Sequence, residues 1–267
     1  MVDAETGEPV VGATVRVRPE GTAGPAGEEG DREVGGWETD DEGRFTIRHL
    51  APGRFSLRIV PRAHADARVD GIDVGRGMTG VKAPVERGTD IRIEVVDGDG
   101  RPVPAVRAIY RDPLGEETFL SPGGPAGTIE IRYAPAGSYD VLVAGRGHAP
   151  ARVRFAVPPR AEPRAALGAG GTLVVAVADA AGRPVARAEI SALDEGGAEM
   201  TRAWSFFSDR SDRGSPFTPG PDGRVAIDHV GPGTYRIAAI RGGARSPETT
   251  VTVAEGGRAE VQITIPE

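Results

Sequence analysis

Short stretches of alternating apolar and polar residues recur along the whole chain. Val15 and Val17 alternate with arginine and threonine, Phe45 and Ile47 enclose one threonine, and Ile91, Ile93 and Val95 enclose charged residues. A period of two is typical of half-buried β-strands, because successive side chains point to opposite faces of a sheet. These stretches are separated by clusters of Gly, Pro and Asp, which favour turns. The pattern therefore predicts an all-β protein.

Three sequence motifs recur in a fixed order, three times along the chain. The first is an Asp followed by Gly-x-Pro-Val, and it begins at Asp3, Asp97 and Asp179. The second is a Gly that leads into a period-two stretch, and it begins at Gly43, Gly127 and Gly223. The third is a Pro and Gly before an aromatic residue, which is Phe55, Tyr139 or Tyr235. A period of this kind indicates tandem copies of one unit.

Each copy has the pattern of a small sandwich of short strands. The Asp and Gly of the first motif suit a turn, and the Pro that follows suits a strand start, where no N–H is needed. The aromatic residue of the third motif is expected to fill the core. Each copy has six or seven predicted strands, which match a small antiparallel β-sandwich. We call the copies module 1 (residues 1–88), module 2 (residues 89–168) and module 3 (residues 169–267). Their short, Pro-containing linkers predict an elongated rod.

Module 1 differs from the other two at its start. An apolar strand precedes the Asp of the first motif in module 2 (Ile91–Val96) and in module 3 (Leu173–Val177), whereas only Met1 and Val2 precede Asp3. The first strand of module 1 is therefore expected to be missing. Two explanations are open: the sequence is part of a longer chain, or a neighbouring chain donates the strand to an open sheet edge.

Composition and charge exclude several classes of function. The chain has 267 residues, a net charge of −7 and no basic block, which argues against nucleic-acid binding. It has no cysteine, which excludes disulfides, thiolate nucleophiles and Cys-ligated zinc. No signal-peptide pattern is present at Met1–Glu5, and no apolar run reaches the ~20 residues that span a bilayer, so membrane insertion is not expected.

The motifs resemble the carboxypeptidase regulatory-like domain and its transthyretin-like, or prealbumin-like, and B-type adhesin-repeat relatives. The residues that carry the resemblance are those of the three motifs, together with Gly-His-Ala-Pro at positions 147–150. The resemblance implies three tandem Ig-like or prealbumin-like sandwiches, an extracellular or cell-envelope setting, and no catalysis. The B-type repeats often carry a Lys–Asn isopeptide bond. This chain has no asparagine and a single lysine, Lys82, so three such bonds cannot form.

Four aromatic residues are candidates for ligand binding. Trp204, Phe206 and Phe207 lie in a polar insert of module 3, and Trp37 closes an insert of module 1. An indole beside a polar loop can stack on a sugar ring, as in sugar-binding relatives, but it can equally fill the end of a sandwich. Both alternatives are open from the sequence.

Metal and catalytic chemistry receive weaker support. Asp97, Asp99, Asp209 and Asp212 are weak candidates for a calcium site, since hard cations bind clustered carboxylates, but no EF-hand-type loop is complete. Plain turn chemistry is the alternative reading, and no cofactor is expected. The four histidines occupy repeated positions without the close pairing typical of zinc ligands. No Ser–His–Asp spacing or Gly-x-Ser-x-Gly motif occurs, so the chain is not expected to be an enzyme.

The resemblance implies a structural role. We expect a non-catalytic stalk, spacer, adhesin or filament component of a bacterial cell-surface or secreted assembly. The expected partner is a protein, or a second copy, bound through the open strand edge of module 1; a glycan is also possible. The alternative function is a carbohydrate-binding module that uses Trp204 or Trp37.

Overall fold

The computed structural model of the chain is built from β-strands, and the all-β prediction is confirmed. It describes residues 1–20, 35–75, 80–121, 124–197, 199–201, 203–204 and 217–266. Within these residues, no helix is long and apolar enough to cross a membrane.

Each module range contains two sheets. The strands of module 1 are β1 (Val2–Asp3), β2 (Thr14–Pro19), β3 (Gly36–Glu38), β4 (Gly53–Val60), β5 (Ala67–Val74) and β6 (Pro84–Val85). Those of module 2 are β7 (Thr89–Asp97), β8 (Arg107–Arg111), β9 (Glu117–Leu120), β10 (Thr128–Ala134), β11 (Gly137–Ala144), β12 (Ala151–Val157) and β13 (Arg164–Leu167). Those of module 3 are β14 (Gly171–Asp179), β15 (Glu189–Leu193), β16 (Arg224–Val230), β17 (Gly233–Arg241), β18 (Ala244–Arg245), β19 (Thr249–Val253) and β20 (Arg258–Ile265).

The strand order repeats from module to module. One sheet has the order β10-β7-β13 in module 2 and β16-β14-β20 in module 3, with the first strand of the module in the centre. The opposing sheets have the orders β3-β2-β4-β5, β12-β11-β8-β9 and β15-β17-β18, with β19 also paired to β17. The division at residues 88/89 and 168/169 stays a prediction, although no strand crosses either position.

Most strand pairs are antiparallel, as predicted, but one pair in each module is parallel, which the sequence did not indicate. The last strand of each module runs parallel to the first: β6 with β1, β13 with β7, and β20 with β14. The other named strand pairs are antiparallel. The first and last strands of a module are neighbours in one sheet but far apart in sequence. Between them, the chain forms the strands of the opposing sheet, and such a long crossover allows parallel pairing.

The core of each module forms where the predicted apolar positions point inward. Val15 and Val17 of module 1 are fully buried, as are Ile93 of module 2 and Ile237 of module 3. The buried side chains group into one cluster in module 3, one in module 2 and two in module 1. The buried core of module 1 is therefore divided into two clusters, whereas each of the other modules has one.

The aromatic residue of the third motif is buried in every module, as predicted. In module 3, the hydroxyl of Tyr235 donates a hydrogen bond of 2.9 Å to the carbonyl oxygen of Gly231. In module 2, Tyr139 donates to Pro135 over 3.3 Å. These bonds fix the loop before β11 and β17. Burial raises the pKa of Tyr235 to about 12, since the neutral phenol is favoured away from water.

Replacement of Tyr235 by phenylalanine is expected to lower the free energy of unfolding by about 1–2 kcal/mol, because the buried carbonyl of Gly231 loses its donor. Tyr139→Phe is the matched control, and its longer bond predicts a smaller loss. Chemical denaturation followed by far-UV circular dichroism measures both. An equal or larger effect at Tyr139 would contradict this account.

Candidate functional site

Module 1 differs from the other two modules in the pairing of its first strand. In module 2, β7 lies between β10 on its antiparallel side and β13 on its parallel side, with Ile93 opposite Ile129 and Val95 opposite Ala165. In module 3, β14 lies in the same way between β16 and β20. The central strand thus completes the sheet in both modules.

Hydrogen bonds identify the residue of module 1 that matches this central strand. The amide of Val95 donates to the carbonyl of Gly127, and that of Val177 donates to Gly223, both over 2.8 Å. In module 1, the α-amino group of Met1 donates to the carbonyl of Gly43. Met1 therefore occupies the position of Val95 and Val177.

The hydrogen bond that the Met1 carbonyl accepts supports the same equivalence of Met1 and Val95. The Met1 carbonyl accepts a hydrogen bond of 3.3 Å from Val10, as the Val95 carbonyl accepts one of 3.1 Å from Val103. β1 is thus the last part of the central strand, and it pairs with β6 as β7 pairs with β13. In the given sequence, β1 therefore corresponds to the last residues of β7 and β14.

A groove of about 690 Å³ lies next to Met1, where the rest of the central strand runs in modules 2 and 3. Its apolar lining includes Phe55 and Leu57 of β4 together with Phe45, Ile47 and Val81, which lie outside the strands. The corresponding core positions of module 2 hold Ile91 and Ile93, both buried. The groove is therefore lined by apolar residues whose counterparts in modules 2 and 3 belong to the core.

One strand predicted from the sequence does not form beside this groove. Residues 44–48 have the period-two pattern of β10 and β16 but belong to no strand, and no hydrogen bond joins the backbone of Phe45–Ile47 to another described residue. The prediction is wrong here for a physical reason: a strand needs a neighbour for its backbone N–H and C=O groups, and no strand among the described residues lies beside this stretch.

Asp3 fixes the end of β1 beside the groove. Its Oδ1 accepts hydrogen bonds of 2.8 Å from the amides of Glu5 and Thr6, and its Oδ2 lies 3.0 Å from His64 Nε2 and 3.4 Å from Arg87 Nε. The Thr6 amide, followed by His64, holds the pKa of Asp3 well below its usual range. The matching Asp97 and Asp179 also have lowered pKa values, chiefly through the amides of Arg101 and Arg183.

Replacement of Asp3 by asparagine is expected to destabilise module 1 at neutral pH and to reduce its acid sensitivity. A carboxylate with a lowered pKa stabilises the fold fully above its unfolded pKa of about 4 and loses that contribution as the pH falls below it. Asn can still accept from Thr6 but carries no charge opposite Arg87.

Unfolding of module 1 between pH 2 and 7 tests this expectation when it is followed by Trp37 fluorescence in a Trp204→Phe background, in which Trp37 is the only tryptophan. The curves with Asp3 and with Asp3→Asn in this background should converge at the acid end. Glu5→Gln is the control, because Glu5 is exposed and lies 3.9 Å from Arg87. A constant difference at every pH would contradict a role for the Asp3 charge.

The candidate sugar-binding aromatic residues lie in different environments. Trp204 is only 3% exposed and belongs to the core of module 3, with Phe217 and Tyr235 at ring-centroid distances of 6.4 and 5.3 Å. Trp37, on β3, is half-buried against the core of module 1. Phe206 and Phe207 lie outside the described residues. Glycan binding by these residues stays a prediction.

The calcium candidates of module 2 take part in turn chemistry. Asp97 Oδ1 accepts from the amides of Asp99 and Arg101, both at 2.9 Å, and Asp99 Oδ2 pairs with Arg101 at 2.8 Å. Asp209 and Asp212 lie outside the described residues. In the part of the chain that is described, no three His, Cys, Asp or Glu side chains form a metal-binding group. A calcium site stays a prediction.

The histidines at repeated positions have a backbone role that the sequence did not reveal. His49, Tyr133 and His229 follow the second motif of the three modules, and all have positive φ angles of 65°, 51° and 62°. This conformation is uncommon for residues other than glycine. Tyr133 and His229 lie inside β10 and β16, where the register with β7 and β14 shifts, so in modules 2 and 3 the shared position is that of a β-bulge.

A contact between modules 1 and 2 was not foreseen from the sequence. Glu116, in the turn between β8 and β9, lies 2.9 Å from Arg18 and 2.8 Å from Arg58. Arg58 also pairs with Asp66 at 3.1 Å. The two arginines and Glu116 are each about one-fifth exposed. Period-two patterns cannot predict this contact, because it depends on how the modules are placed.

Comparisons with known proteins agree with the family resemblance in part of the chain. Residues 1–83 match the model of the carboxypeptidase regulatory-like domain, which confirms the resemblance there. A comparison with curated proteins finds no match.

Several solved structures are also similar to this chain. The Bacillus anthracis TIE protein is 16% identical with a TM-score of 0.29; the match covers 99% of this chain and 49% of that one, so this chain spans about half its length. GBS52, the minor pilin of Streptococcus agalactiae, is 14% identical with a TM-score of 0.35, over 66% of this chain and 96% of that one. The shaft pilin SpaA of Lactobacillus rhamnosus GG is 10% identical with a TM-score of 0.31, over 66% and 96%.

Proposed function

We propose that the chain is a non-catalytic structural and interaction component of a cell-surface or secreted assembly, in which the modules act as rigid spacers. Repetition of one sandwich and the regulatory-like domain match over residues 1–83 support this proposal. Folds of this kind serve many functions, so the argument depends on contacts of this chain rather than on the fold alone.

The observation that carries the proposal is the ion-pair cluster between modules 1 and 2. Glu116 binds Arg18 and Arg58 at once, and its side chain is 19% exposed. Partly buried charge pairs are screened by salt less than exposed ones, and two partners fix the direction of the carboxylate. A spacer needs such a contact, because modules that touch only through a linker would reorient freely.

Interaction with other molecules is proposed to use the open strand position of module 1. Exposed strand edges are templates for pairing with another chain, and proteins usually cover or shorten them. Here Phe45–Ile47, whose backbone has no hydrogen bond to another described residue, lie beside the apolar groove. The edge therefore offers hydrogen-bonding groups and apolar surface at one place, which suits protein–protein assembly.

Small-angle scattering of the purified chain tests the spacer role. A compact globule of 267 residues has a radius of gyration of about 18 Å. Three modules in a row would give a clearly larger value and an elongated distance distribution. A value near that of the compact globule would contradict the proposal.

A variant pair tests the ion-pair cluster in the same experiment. Glu116→Ala should broaden the distance distribution, because Arg18 and Arg58 lose their shared partner. Glu130→Ala removes an exposed carboxylate that pairs only loosely with Arg132 at 3.5 Å and should leave the scattering unchanged. Identical curves for both variants would show that the cluster does not orient the modules.

Carbohydrate binding remains the alternative function. Among the described residues, the burial of Trp204 does not favour it, and Trp37 is the better residue to test. A glycan array with wild type and Trp37→Ala distinguishes the two functions, since a spacer predicts no specific glycan signal.

A further inference from the structure

The strand topology points to a mechanical function: we propose that the parallel pair of first and last strands in modules 2 and 3 is a clamp that resists tension along the chain. The clamp of module 2 is Glu94–Asp97 with Arg164–Leu167, and the clamp of module 3 is Thr172–Asp179 with Arg258–Ile265. This inference rests on the proposed spacer role, because a spacer between two attachment points carries the force that acts on them.

The direction of the load follows from the parallel pairing. In module 3, Thr172 of β14 lies opposite Arg258 of β20, and Asp179 lies opposite Ile265. The chain therefore enters the paired strands at one end and leaves them at the other. Tension along the chain pulls the two strands past each other and loads the hydrogen bonds between them together. In an antiparallel pair, entry and exit would lie at the same end, and the bonds would break one after another.

The two clamps differ in length. β14 and β20 are paired over eight residues, whereas β7 and β13 are paired over four. The hydrogen bonds of a parallel pair are evenly spaced, so the strands share a sliding load among all of them. The clamp of module 3 should therefore rupture at a higher force than the clamp of module 2.

Side chains cover β14 on both faces of its sheet. On the inner face, Leu173 and Val175 are buried in the core of module 3. On the outer face, Val174 is also buried, and an ion pair between Arg224 of β16 and Glu260 of β20 crosses over β14. Water therefore has little access to the backbone of β14 and cannot readily replace a hydrogen bond that has been stretched.

The two clamps lie in series along the chain. β13 ends at Leu167 and β14 begins at Gly171, so only residues 168–170 separate them. This short connection is itself held by module 2, because the amide of Ala149 donates a hydrogen bond of 3.0 Å to the carbonyl of Gly168. Tension is therefore passed from one clamp to the next without a slack linker.

Pulling module 3 of the full chain in two directions tests the clamp by single-molecule force spectroscopy. The chain has no cysteine, so two introduced cysteines define where the handles are attached. Thr172→Cys with Thr264→Cys pulls the strands past each other, whereas Thr172→Cys with Arg258→Cys pulls them apart at one end. At the same loading rate, we expect a several-fold higher unfolding force in the first geometry.

The two variants differ mainly in the direction of the load. Thr264 and Arg258 are exposed, and denaturant unfolding without load checks that both variants fold with the same free energy of unfolding. Forced unfolding depends on the rate of unfolding under load, so direction can change the force while this free energy stays the same. Each event should lengthen the tether by about 300 Å, the length of the released chain. Equal forces in both geometries, or a lower force in the first, would overturn the proposal.

Module 2 provides an independent pair of variants. Glu94→Cys with Ala166→Cys pulls β7 and β13 past each other, and Glu94→Cys with Arg164→Cys pulls them apart at one end. All three side chains are exposed. We expect the same dependence on direction, with a lower force in the first geometry than module 3 shows. A force as high as that of module 3 would contradict load sharing along the paired strands.

Force and scattering measurements separate this inference from the spacer role on which it rests. An elongated particle whose modules unfold at the same force in both directions contradicts the clamp and leaves the spacer role standing. A compact particle contradicts the spacer role itself, whatever force its modules resist.

Discussion

Replacement of Trp204 by alanine is expected to lower the free energy of unfolding of module 3 by about 3–5 kcal/mol, the usual cost of removing a large buried aromatic side chain. The indole is 3% exposed and contacts the rings of Phe217 and Tyr235 edge-on, at interplanar angles of 87° and 63°. Its loss would leave a cavity between both sheets of the module, which fixed β-strands can close only in part.

Two controls separate packing from other effects. Trp204→Phe keeps an aromatic ring and removes the buried indole N–H, which has no hydrogen-bond partner among the described residues, so its cost should be clearly smaller. Trp37→Ala acts on a half-buried residue of module 1 and should cost less as well. In Trp204→Ala, Trp37 is the only remaining tryptophan, so its fluorescence reports module 1 alone.

Denaturant unfolding followed by circular dichroism gives the change for module 3. A loss below about 1 kcal/mol would contradict the core position of Trp204. The result also bears on the carbohydrate alternative, since a glycan signal lost in Trp204→Ala could arise from unfolding alone. Trp37→Ala is therefore the cleaner variant for binding studies.

The substitution Gly223→Ala is expected to destabilise module 3 by about 3 kcal/mol through two effects. Gly223 has a φ of +72°, which disfavours any residue with a Cβ atom. An added Cβ would also lie 2.5 Å from the carbonyl oxygen of Val177, which is backbone of β14 and cannot move without shifting the strand. The close approach is part of the fold, since Gly223 accepts the hydrogen bond of Val177.

Gly182→Ala is the matched control for this prediction. Gly182 has a similar φ of +77° but no atom within 4 Å of an added Cβ. Its substitution should cost only the conformational penalty of about 1–2 kcal/mol. The difference between the two losses in free energy of unfolding, measured under the same denaturing conditions, gives the steric contribution at Gly223. Equal losses at the two positions would mean that β14 can move away from the turn.

The local fold could be predicted from the sequence to a large extent. The turn that starts at Asp97 forms as predicted, with Gly100 at a φ of +80° and its amide bonded to the Asp97 carbonyl. The alternation of Ile91, Ile93 and Val95 correctly indicated one buried face. These features succeed because a turn or a strand face depends on residues close together in the chain.

The candidate site was only partly predictable. The missing strand of module 1 was inferred by comparison of the repeats, but the groove beside Met1 and the loss of strand structure at residues 44–48 were not. The period-two pattern of Phe45 and Ile47 is the same as that of Ile129 and Ile131, which do form a strand. The difference comes from the neighbour that each stretch has in the folded module.

The sequence by itself determined the all-β class, the turns, the buried faces of the strands and the repetition of one unit, because each depends on short-range patterns. Tertiary structure decided the parallel pairing of first and last strands, the core position of Trp204, the contact of Glu116 with Arg18 and Arg58, and the open groove. These features depend on contacts between segments that are distant in sequence. Such contacts are stabilised by apolar burial and backbone hydrogen bonding between the segments, which the sequence of one segment does not reveal.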